Sequence, residues 1–288
     1  MTTMLRRLGD AGAQYRDPLA AVDWQAADPD RPWLPFSMAN LAGIVDEAAL
    51  SRELMIRFSR SEFARLCAAG LWLEGLLISR VTARGFLAHE TDEARIMLQE
   101  VREESGHGLL FLEMIERARL SGVRLLGSTA LLTWVAHRLD PDDAAFWAMV
   151  FVGESVTDTF AVRALKESET NDSLCPVARQ VLALHHRDEA RHIAAARALL
   201  EHRIARMTTL DRFAFARTLR FLLRQFLAAT LFPTPASLRV LGIPDPAAAA
   251  RRARACPQRR QLAQACAQPS LDLLARTGLI GNAPAATF

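Results

Sequence analysis

Two residue types are almost missing from this chain. Tyr15 is the only tyrosine and Lys166 the only lysine in 288 residues. With aromatics at 7%, no stacking platform for single-stranded nucleic acid is available. The positive charge is nearly all arginine, and 35 basic residues against 32 acidic ones leave a formal charge of +3. That balance excludes a nucleic-acid partner as the expectation. The four cysteines, Cys67, Cys175, Cys256 and Cys266, form no C-x-x-C pair. They read as free thiols of a reducing, cytoplasmic environment. Long apolar runs are absent as well. LCAAGLWLEGLLIS and AAFWAMVFVGES each contain a glutamate and fall short of the ~20 residues that span a bilayer. No apolar run follows the first arginines, so no secretory signal and no membrane partner are expected. Val/Ile/Thr alternation of the strand type is missing throughout.

What remains is a chain that is 51% apolar and 23% charged, ordinary values for a globular protein. Residues 1–45 carry Pro18, Pro29, Pro32 and Pro35 without a helical period, and read as an extended arm that lays Trp24, Trp33 and Phe36 on a larger body. Between Asp46 and Pro233 only Pro141 and Pro176 occur, each where a helix can start. Helices are predicted over about 46–57, 59–87, 91–120, 123–138, 141–168, 174–206 and 208–230, and again over Ala247–Ala255. The expectation is an all-α architecture: an arm (1–45), a helical bundle (46–232) and a helical tail packed on it (233–288).

Four of the long helices each set a glutamate among apolar neighbours: Glu74, Glu104, Glu154 and Glu189. Two of these have a histidine three residues later, His107 and His192. Residues three apart on a helix face the same way. Four helices can therefore aim four carboxylates and two imidazoles at one interior point, where four negative charges offset two divalent cations. This order of residues is the signature of ferritin-like di-iron and di-manganese bundles, and mixed O and N donors suit iron or manganese. With 16 glutamates and 7 histidines, roughly 0.4 Glu-x-x-His pairs arise by chance, so the pairs alone carry little weight. The weight comes from burial, because a carboxylate inside an apolar helix costs several kcal/mol unless paired. The alternative is that Glu74 and Glu154 pair with buried arginines such as Arg80 or Arg163.

His185 lies four residues before Glu189 and within about 40° of both Glu189 and His192 around the helix, whereas His186 is turned away. One helix can thus offer three donors, with a satisfied core histidine as the competing reading of His185. Asp188 and Glu103 adjoin the ligands and are candidates to accept from the free ring nitrogen of the opposite helix's histidine, with a solvated surface residue as the competing reading of Glu103. Residues a turn from the ligands, Gly70, Leu77, Gly108, Phe111, Phe151 and Thr157, are candidates for a substrate pocket, with core packing as the competing reading. Gly106 and Gly108 flank His107 inside a helix, which implies a close approach there or a local distortion. Arg191 and Arg163 are candidates to meet a substrate carboxylate. The basic run from Arg251 to Arg260 reads as a solvated face, or as a dock for an acidic partner such as a carrier protein.

With the order Glu / Glu-x-x-His / Glu / His-x-x-x-Glu-x-x-His, the sequence resembles the p-aminobenzoate N-oxygenase family, over about residues 15–230. The arm segments DPLAAVDW and RPWLP are similar to that family's lead-in. The resemblance implies a ferritin-like bundle with a centre of two iron ions held by Glu74, Glu104, His107, Glu154, His185, Glu189 and His192. It implies an O2-dependent oxidoreductase, an amine monooxygenase of secondary metabolism. Its substrate is a primary amine, either an arylamine or an amine tethered to a carrier protein, oxidised to a hydroxylamine and onward to nitroso or nitro products. An electron donor is implied too, and a homodimer through outer helices fits. A di-iron C-hydroxylase or desaturase on the same scaffold, and a non-catalytic iron-handling protein, are the alternatives. The third histidine argues against the last.

Overall fold

The computed structural model describes residues 10, 15–39, 41, 43–45, 50–85, 91–170 and 174–279. No strand occurs among the described residues. After a short 3-10 turn (Trp24–Ala26) come α1 (Arg52–Arg84), α2 (Thr91–Arg117), α3 (Ala130–Ala136), α4 (Ala144–Thr170) and α5 (Pro176–Ala205). They are followed by α6 (Thr209–Thr230), α7 (Pro235–Val240), α8 (Pro246–Ala255) and α9 (Pro257–Arg276). The all-α architecture is as expected.

Four long helices make the bundle. α1 packs along α2, and α4 along α5, and these two pairs face each other through α1–α4 and α2–α5 contacts. Their starts follow local chemistry. The Ser51 hydroxyl accepts from the Leu54 amide at 3.1 Å to cap α1, and Pro176 opens α5, where its missing N–H costs nothing. α6 begins with a reciprocal Thr208–Asp211 capping box. α3, α6 and α9 lie against the outside of this core.

Several predicted boundaries are corrected. The segments expected as two helices over 46–57 and 59–87 form one helix from Arg52, and residues 46–49 lie outside the described residues. The helix expected from 123 starts only at Ala130. Gly122 has φ +76°, and the backbone at Gly127 lies flat on α6, its amide donating to the Ala229 carbonyl at 2.9 Å, where a Cβ would sit 3.0 Å from the Ala229 Cα. The helix expected at Pro141 starts at Ala144, because Asp140 closes a turn onto the amides of Asp142 and Asp143. α9 is a helix that its internal Pro269 concealed in the sequence.

The arm lies on the bundle. The Trp33 amide donates to Ser59 Oγ (3.1 Å), the Pro32 carbonyl accepts from the Cys175 amide (2.8 Å), and the Asp23 amide donates to Gln180 Oε1 (2.9 Å). Trp33 is buried and meets Phe63 edge-on, while Trp24 and Phe36 are only partly buried and lie under Arg117 and Arg52. The basic run is partly absorbed by the fold. Arg252 donates to the Ile44 carbonyl (2.7 Å), and Arg259 reaches the buried carboxylate of Glu62 (2.7 Å), which Arg65 also grips at 2.7 and 3.2 Å. Burial pushes the Glu62 carboxyl up, but the two guanidinium groups outweigh it and hold it below the usual range. Removing this acceptor leaves two buried cations facing each other. We predict that Glu62→Ala lowers unfolding stability by about 3–5 kcal/mol, read as a shift in denaturant midpoint. A shift within error would mean that the ion triad does not hold the tail.

Candidate metal centre

Glu74 on α1, Glu104 and His107 on α2, Glu154 on α4, and His185, Glu189 and His192 on α5 all point into the bundle, and none exposes more than 6% of its surface. Their donor atoms fall into three overlapping sets, each within 4.8 Å: Glu104, His107, Glu189 and His192; Glu74, His107 and His185; Glu154, His185 and Glu189. The seven residues singled out in the sequence are thus brought together. Glu104 and Glu189 lie centrally, each with one oxygen toward either side. Glu104 Oε2 is 3.0 Å from His107 Nδ1 and its Oε1 is 2.8 Å from His192 Nδ1. Glu189 Oε1 is 3.3 Å from His107 Nδ1 and 3.1 Å from His185 Nε2, and its Oε2 is 3.5 Å from His192 Nδ1.

The far sides of the two histidines cross between helices. His192 Nε2 lies 3.0 Å from Glu103 Oε2 on α2, and His107 Nε2 lies 3.7 Å from Asp188 Oδ2 on α5. Glu103 is within hydrogen-bond distance of His192 Nε2, which Arg191 also approaches (2.7 Å), Asp188 stands farther behind His107, and Nδ1 of each ring faces the centre. Glu103 is itself held by Arg191 and Arg102. Arg191 is therefore engaged beside the centre, whereas Arg163 is exposed on α4 and borders a separate cavity with Cys256 and Gln258. His186 is turned away, as expected, and meets Asp158 at 2.5 Å.

Among the described residues no arginine neutralises Glu74 or Glu154. Arg80 donates to the Leu139 carbonyl instead. Both oxygens of Glu74 and Oε1 of Glu154 are buried without a hydrogen-bond partner, and Oε1 of Glu104, both oxygens of Glu189 and Nδ1 of His192 have none outside the cage itself. Buried polar atoms left unpaired in this number are costly, and a pair of cations at their centre would satisfy all of them. Oxygen-rich donors with three imidazoles fit iron or manganese.

Without a cation, the cage divides its protons. Burial lifts the carboxyls of Glu74 and Glu154 well above the usual range, and repulsion from Glu104 and Glu189 adds to it. Burial also pushes up Glu104 and Glu189, but the adjacent histidines outweigh it and hold both low. His107 and His192 go the other way: burial lowers them, and the surrounding carboxylates raise them well above the usual imidazole range. His185 is lowered by burial, with the charge of His107 adding to it against the pull of Glu189.

Sequence reasoning missed Glu100. It is buried 3.7 Å from His192 Nε2, and burial pushes its carboxyl up to about 7 against the pull of His192. A signal existed: Glu100-x-x-x-Glu104-x-x-His107 repeats the spacing of His185-x-x-x-Glu189-x-x-His192. The two first positions diverge in space. His185 turns to the centre, and Glu100 stands behind the opposite histidine.

The candidate pocket residues divide. Gly70 is filled by the Phe111 ring, and Gly108 lets α1 approach, with Leu71 and Glu74 Oε2 about its missing Cβ at 3.4 and 3.5 Å. Phe111 lies beside His185, ring centres 5.1 Å apart, and Leu77 and Phe151 are buried. The Thr157 hydroxyl donates to its own helix at the Gly153 and Glu154 carbonyls. Instead, a cavity of about 290 Å³ reaches the centre from behind, lined by His107, Glu103, Asp188, Arg191, Arg187 and arm residues including Tyr15. Gly70, Leu77, Gly108, Phe111, Phe151 and Thr157 do not line it. Gly106 is explained by the arm, since a Cβ there would strike Tyr15 Oη and Pro18.

The fold and the buried carboxylate–imidazole cage define a ferritin-like metal bundle. The chain belongs to the family described as p-aminobenzoate N-oxygenase AurF, which it matches over residues 2–278. That match extends past the resemblance read from the sequence and takes in the tail. The family is one of oxygenases, and membership implies a di-iron centre. Among similar proteins are uncharacterized proteins of Mycobacterium tuberculosis CDC 1551 (29% identical) and of Mycobacterium bovis (28% identical). Each aligns over 252 residues, 84% of this chain and 72% of the relative.

Cations compete with the protons held by Glu74, Glu154, His107 and His192, so loading releases protons and tightens as pH rises. The raised pKa values stabilise the metal-free fold at low pH, and that contribution is lost as pH rises through them. The gain in Tm on adding ferrous or manganous ion should therefore be small at about pH 5.5 and larger at about pH 8; a pH-independent gain would contradict this. Asp188→Asn and Glu103→Gln should each cost about 10–100-fold in metal affinity, measured by competition with a chelator.

Proposed function

We propose that the chain is a di-iron N-oxygenase that uses O2 to convert a primary amine to a hydroxylamine, with oxidation onward to nitroso or nitro products. In this reading Glu74, Glu104, His107, Glu154, His185, Glu189 and His192 hold the two irons. The observation that carries it is the convergence of seven buried donors, three of them imidazoles, with so many of their atoms unpartnered. When bound, the irons supply O2 activation and oxygen transfer to nitrogen.

The chain's own residues do the rest. Glu104 and Glu189 present one oxygen to either side and, with the other five donors, would hold the two cations. Asp188 and Glu103 keep His107 and His192 in one tautomer. His185, shifted by burial toward its neutral form, adds an uncharged donor beside Glu189. Phe111 and the buried faces of α1 and α4 exclude water from this side, which protects reactive species from hydrolysis and stray protons. The amine enters as an arylamine or tethered to a carrier protein, and electrons come from a separate donor. The similar mycobacterial proteins are uncharacterized, and the amine substrate rests on membership of the family described as p-aminobenzoate N-oxygenase.

The test is direct. Iron-loaded, reduced protein is exposed to isotopically labelled O2 with a panel of aryl and alkyl amines, and products are read by mass spectrometry. Label on nitrogen is expected. Label on carbon, or a desaturated product, would replace this reading with a C-hydroxylase or desaturase. His185→Ala should retain part of its iron and lose about tenfold or more in oxygen transfer. Wild-type rates in that variant would reduce His185 to a packing residue.

A further inference from the structure

Large apolar side chains stand in water on two neighbouring helices far from the seven donors. On α6, Leu210 is 76% exposed and Phe213 63%, with Phe221 also exposed. On α3, which packs against α6, Trp134 is 57% exposed and Leu131 lies one turn away. Cations are interleaved with them. At 100° per residue, Arg220, Phe213, Arg224, Arg217, Leu210 and Phe221 fall within one arc of about 100° around α6. Arg217 lies over the Phe213 ring (5.9 Å), and Arg138 lies over Trp134 (4.0 Å) while donating to its carbonyl. The two helices carry a single acid, Asp211, which is occupied in the capping box.

We infer that this α3–α6 face docks on an anionic lipid surface. Phe, Leu and Trp side chains beside arginines are what an interfacial helix presents: the rings enter the headgroup region and the guanidinium groups meet anionic lipid. A second copy of the chain is disfavoured, because a two-fold contact would set these arginines against their own copies with one acid per chain to offset them. The expectation of no membrane partner rested on the lack of a spanning run, and a helix that lies on a surface needs none.

Full-length protein is sedimented with vesicles of phosphatidylcholine alone or with about 30% phosphatidylglycerol. Retention on the anionic vesicles only is expected, weakening as salt rises. Each of Arg217→Glu, Arg220→Glu and Arg224→Glu should weaken binding by about fivefold or more. Phe213→Ser with Phe221→Ser should weaken it while leaving the salt dependence intact. Circular dichroism melts of the variants check folding. No retention on anionic vesicles, or retention indifferent to both sets of changes, overturns the proposal. Binding to polyglutamate but not to vesicles replaces it with an acidic protein partner. A dimer that the double Phe variant dissociates in sedimentation velocity replaces it with a copy–copy interface. None of these readouts depends on amine oxidation, so they stand or fall apart from the proposed activity.

Discussion

Mutual repulsion among four carboxylates in a dry interior is the constraint around which this protein is built. Two unit charges about 4 Å apart interact by about 4 kcal/mol even at an effective dielectric of ~20, and here four converge with three imidazoles and, among the described residues, no arginine on Glu74 or Glu154. The metal-free cage relieves this by keeping protons on those two outer carboxyls and on two histidines. Cations relieve it by replacing the protons. The bundle must hold the donors against their repulsion in either case, and its four long, tightly paired helices supply the rigidity.

The arm and the tail serve that frame from opposite directions. Arm residues Tyr15 and Pro18 close over Gly106, one residue from His107, and line the cavity behind the centre. The tail is locked to α1 by Arg259 on Glu62, one of the few places where a fully buried carboxylate is neutralised by arginine. Glu62 and Glu74 lie on the same helix and are equally buried, yet one is paired with two cations and the other with none. That contrast separates a carboxylate that fastens the fold from one kept available for metal.

Regular spacing made the core of the site readable. Glu-x-x-His and His-x-x-x-Glu-x-x-His are statements about one helix face, and a helix face is fixed by 3.6 residues per turn wherever the helix ends up. The helix starts were less readable. Ser51 and Thr208 cap as their side chains dictate, but Asp140-Pro141 closes a turn and defers α4, and Pro269 sits inside α9 despite its missing donor. Both outcomes depend on what surrounds the segment. Trp147 Nε1, for example, donates to the Pro141 carbonyl and pins that turn.

The sequence by itself determined which side chains share a face: the seven donors, the outer carboxylates Asp188 and Glu103, and an all-α chain to carry them. Only the tertiary structure decided what each face meets. It turned His185 inward and sent Glu100, at the equivalent spacing, behind His192. It filled Gly70 with Phe111, spent Arg259 on Glu62, and left Phe213 and Trp134 in water. The reason is physical: periodicity acts along one helix, whereas distance, desolvation and charge pairing arise only when helices distant in sequence are brought to within a few ångströms of each other.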